Sequence, residues 1–133
     1  VLNLLTYDCI WTSFLENYMV EDVDLPHPDQ IPSVIQNAVI RVNNRLRTTA
    51  VCNNASETVE GLSGEDHLIL LSAYIKLIQL INSRVFYEKL YNPFSADVGV
   101  RNFKTQLDSL NKSVKEQEDL IDEIILNAME DFL

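Results

Sequence analysis

Three stretches of helical hydrophobic periodicity run through this chain, and the two unequal connections between them constrain its fold more than any other feature. The first stretch ends near Val20 and the second begins near Ser63, a long way downstream. The second closes at Asn92-Pro93, and the third starts almost at once, at about Ser95. A short link makes consecutive helices antiparallel, whereas a long one lets them run parallel by climbing the height of a bundle. The spacing predicts an all-α helical bundle of three long helices plus one short helix, arranged up-up-down, in a single domain over residues 1–133.

The stripes fix where each helix lies. The first is expected over about residues 1–20, with Leu4, Tyr7, Trp11, Phe14 and Tyr18 in steps of three and four and Ile10 and Leu15 widening the stripe. Pro26 and Pro28 end it. A shorter helix is expected over about 33–47, where Ser33 and Gln36 have capping-box spacing and Ile35, Ala38 or Val39, Val42 and Leu46 make a narrow stripe. Residues 48–62 read as loop. The second long helix begins at Ser63-Gly64-Glu65-Asp66, with the hydroxyl as cap and the acids suited to the positive helix end. It carries two stripes, one through Leu68, Leu71, Ile75 and Ile78 and one through Leu70, Tyr74, Leu77 and Ile81, so it must face two neighbours. The third carries a seam through Val100, Phe103, Leu107, Leu110, Val114, Gln117, Ile121, Ile124 and Ala128.

Composition excludes several classes. With 47% hydrophobic residues, three Gly and four Pro, the chain is neither disordered nor turn-rich all-β. No uninterrupted apolar run approaches the ~20 residues of a membrane span, so no membrane insertion is expected. Val1 to Leu5 lack the basic flank of a signal peptide. A net charge of −10 disfavours nucleic acid and anionic membrane as partners. Residues 1–40 hold six acids and no base, residues 116–133 seven acids and no base, and Arg41, Arg45 and Arg47 form the one dense basic patch. Solvated helix faces account for most of this pattern.

Catalytic chemistry is not expected. The sequence has no glycine-rich phosphate loop, no nucleophile elbow and no Cys or His pair at zinc spacing. His27 and His67 lie far apart, and the acids Glu118, Asp119, Asp122 and Glu123 lack the Glu-x-x-His pattern of helical di-metal sites. The expectation is a binding protein that is not an enzyme, with no catalytic residues, metal or cofactor. Cys9 and Cys52 would pair in a secreted chain, tying the first helix to the long connection, and stay reduced in a cytosolic one. Two glycosylation sequons, at Asn54 and Asn111, tilt the balance outward.

Three segments carry a resemblance to a known family. They are Phe14-Leu15-Glu16-Asn17-Tyr18-Met19-Val20 with its exit Asp24-Leu25-Pro26-His27-Pro28, then Gly61 to Leu68 leading into Ala73-Tyr74-Ile75-Lys76-Leu77-Ile78 and closing at Tyr91-Asn92-Pro93, and the heptad helix Val100 to Ala128. Together they resemble long-chain four-helix cytokines of the interleukin-6 class, on the side of ciliary neurotrophic factor and cardiotrophin-like members. The family's fourth helix has no counterpart, and Phe103-Lys104-Thr105-Gln106 has Gln where its receptor motif has Lys.

The resemblance implies a secreted, extracellular ligand that assembles cell-surface receptors, with Glu16, Lys104, Asp108 and Lys115 on exposed faces of the first and third helices as receptor-binding candidates. The alternative is an intracellular, cytoplasmic module, viral or host, that docks partner helices in an apolar groove. Three long helices would leave such a groove between the first and third, which predicts self-association or a partner helix there.

Overall fold

In the computed structural model, which describes residues 4–18, 25–62, 64–94 and 100–128, Thr6 decides where the first helix begins. Its hydroxyl accepts the amide of Cys9 at 3.1 Å from an extended backbone, so Thr6 caps helix α1, Tyr7–Asn17. Tyr18 returns to an extended conformation and closes it. The predicted helix over 1–20 is thus only 11 residues long. Leu4–Thr6 form a strand instead, β1.

Helix α2 spans Ile31–Leu46, following a one-turn 3-10 helix at Pro28–Gln30. Pro32 sits in its first turn, where a missing N–H is harmless, so the Ser33/Gln36 capping box is not the start. Arg47, left-handed at φ 59°, ends it. The segment 48–62, expected as loop, contains strands β2, Val51–Asn53, and β3, Thr58–Glu60. They form an antiparallel hairpin with Cys52 opposite Val59, and β1 adds on the other side with Leu5 opposite Val59. The sheet order is β1-β3-β2. Asn53 organises the turn, accepting the amides of Ala55 and Ser56 through Oδ1.

Helix α3, Glu65–Phe94, has 30 residues and helix α4, Val100–Asn127, has 28. They form an antiparallel hairpin, and α1 and α2 both pack on α3. Both stripes of α3 are used: Leu70, Leu71, Tyr74, Ile75, Leu77 and Ile78 are buried. The α4 seam is correct from Leu107 onward, with Val114, Gln117 and Ile121 buried. Val20, the Ser63 cap, residues 129–133 and the side chains of Leu4, Val100 and Phe103 lie outside the described residues.

Two expectations on architecture change. Among the described residues there are two long helices where three were expected, because α1 is shorter than the 16-residue α2. The long connection does not merely climb the bundle; it folds into a helix and a hairpin that complete the core through Ile35, Ala38, Val39, Val42 and Val59. The groove expected between the first and third long helices is bridged, since Gln117 on α4 donates to the Tyr18 hydroxyl just past α1 at 3.1 Å. Among the described residues one helix, Glu65–Lys89, is long and apolar enough by length and composition to cross a membrane, although it contains no uninterrupted apolar run of that length. A core helix passes the same measure, and α3 is the one on which the other three pack.

Candidate functional site

A depression with both apolar and polar walls lies where α1 and α2 leave the upper part of α3 uncovered. Trp11 and Phe14 of α1, with ring centroids 5.0 Å apart, form one wall. Val34 of α2 and Pro26 before it form the second, and Ile78 and Phe86 of α3 form the third. The cavity measures about 630 Å³, within the range of sites that bury a side-chain cluster or small ligand. Phe14 and Ile78 are part of the core floor, whereas Phe86 on the rim is 60% exposed. Phe86 also stacks edge-on with Tyr87 at 6.0 Å. Trp11 and Phe14 were legible as an aromatic stripe; Phe86, off both predicted α3 stripes, was not.

A polar cluster holds the sheet to the helices. The Tyr7 hydroxyl donates to Asn54 Oδ1 at 2.7 Å, and Gln36 Nε2 donates to the same oxygen at 2.6 Å. Burial pushes the Tyr7 phenol above its ordinary value, reinforced by the neighbouring Cys52. Burial likewise pushes the Cys52 thiol up, with a hydrogen bond to Tyr7 acting the other way. Asn54 is therefore a structural tie between β-turn, α1 and α2. Cys9, exposed on α1, and Cys52, half-buried on β2, are free thiols in this structure.

A second cluster joins α2 to the hairpin. Arg45 pairs with Asp122 of α4 at 2.8 Å, both roughly half exposed, which makes the pair worth about 0–1 kcal/mol. Nearby Tyr74 has its phenol raised by burial, with Arg45 and Arg41 opposing and Asp122 adding to the shift. Arg41 thus belongs to a local charge balance rather than to an open basic patch.

Glu16, Lys104, Asp108 and Lys115 are all exposed, as their off-stripe positions implied, but on separate parts of α1 and α4. Lys115 lies 4.0 Å from Asp119. Asn111 is exposed on α4. His27 sits in an exposed contact with Asp29. No group of three His, Cys, Asp or Glu able to hold a metal occurs among the described residues.

Comparison with known proteins decides the family. Residues 4–130 match the profile of the YomZ prophage protein family. The chain belongs to that family. It is 42% identical over 129 residues to the SPbeta prophage-derived uncharacterized protein YomZ of Bacillus subtilis (strain 168), covering 96% of this chain and 98% of that protein. No solved structure matches it.

The family assignment overturns the interleukin-6-class resemblance. Helix stripes and a proline-rich exit are shared by many helical proteins, and end-to-end identity to a prophage protein outweighs them. With the resemblance fall the secreted and extracellular location, the glycoprotein reading of Asn54 and Asn111, and the cytokine role. Glu16, Lys104, Asp108 and Lys115 lose the reason they were grouped as a receptor surface.

Proposed function

We propose that this prophage-family protein is an intracellular, non-catalytic interaction module that docks a helical segment of another protein in the groove between α1, α2 and α3. The observation that carries this reading is Phe86, a large aromatic 60% exposed on the rim of a cavity already floored by Phe14 and Ile78. An amphipathic helix would place one or two apolar anchors against Trp11 and Val34 and cover Phe86. Free thiols and a family of bacterial prophage origin favour the reduced compartment. The packing of three helices on α3 favours a core role for that helix over a membrane span.

A photo-crosslinking phenylalanine analogue at Phe86, in the full chain expressed in a lysogenic host, tests the reading. One discrete protein other than the chain itself should be captured from this position. A control analogue at the exposed Leu15 should not capture it, and Val34→Asp should abolish capture. Capture of nothing, or capture that survives Val34→Asp, would refute the groove as a docking site.

A further inference from the structure

We propose that two copies of this chain pair antiparallel through a different surface, the face of the α3–α4 hairpin opened by Leu80 and Leu120. This goes beyond the groove reading and does not depend on it.

Length comes first. At 1.5 Å per residue, α1 reaches about 16 Å and α2 about 24 Å, whereas α3 and α4 exceed about 40 Å. Among the described side chains, the last buried position on α3 is Ile78, and beyond it Val85 and Phe86 are exposed. The far end of the hairpin therefore projects past the helices that cover its base.

Charge differs between the two ends. Across residues 82–112 the bases Arg84, Lys89, Arg101, Lys104 and Lys112 outnumber the acids Glu88, Asp97 and Asp108, in a chain whose net charge is −10. Residues 116–123, at the base, hold Glu116, Glu118, Asp119, Asp122 and Glu123 with no base between them. Arg45 occupies Asp122 alone. Lys112 and Lys115 stand 3.9 and 4.0 Å from Glu116 and Asp119, exposed contacts worth a few tenths of a kcal/mol. The other carboxylates are exposed on the acidic end.

A receptive surface lies between these ends. An open depression of about 810 Å³ has Leu80 and Leu120 as its apolar floor, with Glu116, Asp119 and Glu123 against a single Lys76 on its rims. Such a surface takes an amphipathic helix edged with bases. The chain's own projecting end has that character. Arg84 stands one turn beyond Leu80, and Lys112 one turn before Glu116. A rigid hairpin cannot fold this end onto its own base, but a second copy related by a two-fold axis can supply it.

The register follows. With the axis near the small residue Ser113, Arg84 and Lys112 of each copy fall opposite Glu116 of the other. The overlap of two helices, about 20 Å wide and 36 Å long, covers about 700 Å² per copy, close to the ~800 Å² of a standard interface.

Sedimentation velocity on the full chain tests the pairing. A dimer is expected at low micromolar concentration in about 50 mM salt, moving toward monomer at about 500 mM. The base-reversed variant Glu116→Lys/Asp119→Lys/Glu123→Lys and the arm-reversed variant Arg84→Glu/Lys112→Glu should each weaken dimerisation at least ~10-fold. Mixed one to one, they should form a heterodimer. If circular dichroism finds either variant unfolded, Leu120→Lys and Lys112→Glu at exposed positions must each weaken the dimer. A monomer throughout, a dimer indifferent to salt and to these changes, or a mixture that stays monomeric would overturn the proposal. Val34→Asp in the other groove should leave the dimer intact, so failure of one surface is read separately from failure of the other.

Discussion

Gln117 of α4 donates from Nε2 to the backbone carbonyl of Ala73 on α3 at 2.9 Å, in a contact buried from solvent. The same amide donates to the Tyr18 hydroxyl at 3.1 Å, so one polar side chain in an apolar seam ties three segments together. Ala73, fully buried and small, lets α4 approach closely enough for the bond. Gln117→Ala should cost about 1–3 kcal/mol of unfolding free energy in urea, because it removes both bonds and leaves a void. Tyr18→Phe should cost less, about 0.5–1.5 kcal/mol. A double variant that is simply additive would deny the coupling.

Asn43 performs a similar service at the end of α2. Its Nδ2 donates to the Ala50 carbonyl at 3.0 Å, while its Oδ1 accepts the Ala50 amide at 3.0 Å and the Thr48 hydroxyl at 2.7 Å. One side chain thus pairs with Ala50 as a neighbouring strand would, fixing how β2 leaves the helix. Asn43→Asp keeps the acceptor but sets a carboxylate against the Ala50 carbonyl, and a loss of about 1–3 kcal/mol is expected. Denaturation at neutral pH measures it, and an unchanged midpoint would show that Ala50 finds other partners.

The helices and the core were legible because their signal is long. Val114, Gln117 and Ile121 on α4, and Leu71, Ile75 and Ile78 on α3, repeat over many turns, and all six are buried. The sheet was not, because three-residue strands are too short to show a period-2 pattern, and β3 is buried at both Thr58 and Val59. The signal available was chemical: Val51-Cys52-Asn53 and Thr58-Val59-Glu60 flank a turn rich in Asn, Ala and Ser. Likewise Thr6 before Tyr7-Asp8 is a cap that shortens α1, but a continuous aromatic stripe from Leu4 hid it. Leu15, expected to widen that stripe, is 43% exposed. Half of the candidate groove, Trp11 and Phe14, lay in the stripe. Its rim at Phe86 depends on where α1 and α2 stop, which periodicity does not encode.

Gly61 and Gly64 offer a controlled comparison. Both have positive φ, 100° and 89°, so a side chain at either strains the backbone, by roughly 1–2 kcal/mol. At Gly61 a Cβ would also lie 3.1 Å from the Ala50 Cα, a backbone atom that cannot swing aside, whereas at Gly64 it would meet nothing within 4 Å. Gly61→Ala should therefore lower Tm more than Gly64→Ala. Equal losses would mean that the approach of Gly61 to Ala50 relaxes freely.

The alkaline limb of stability should report the Tyr7–Cys52 cluster. Both groups have raised folded values, from ordinary values of 10.0 for the phenol and 9.0 for the thiol, chiefly through burial. The folded state holds these protons more tightly than the unfolded chain. Their contribution is therefore complete below the ordinary values and is lost as pH rises through the raised ones. Thermal melting should fall steadily from about pH 8 to about pH 11, and Tyr7→Phe, which removes the phenol's titration, should flatten the upper part of that fall. The same burial governs reactivity, since the thiolate is the nucleophile. Without any reductant, both thiols should be alkylated, Cys9 first and Cys52 several-fold more slowly at pH 8, as intact mass would record. Equal rates would show that Cys52 is not shielded, and a chain that takes up no alkylating agent until it is reduced would show that the two cysteines are bridged.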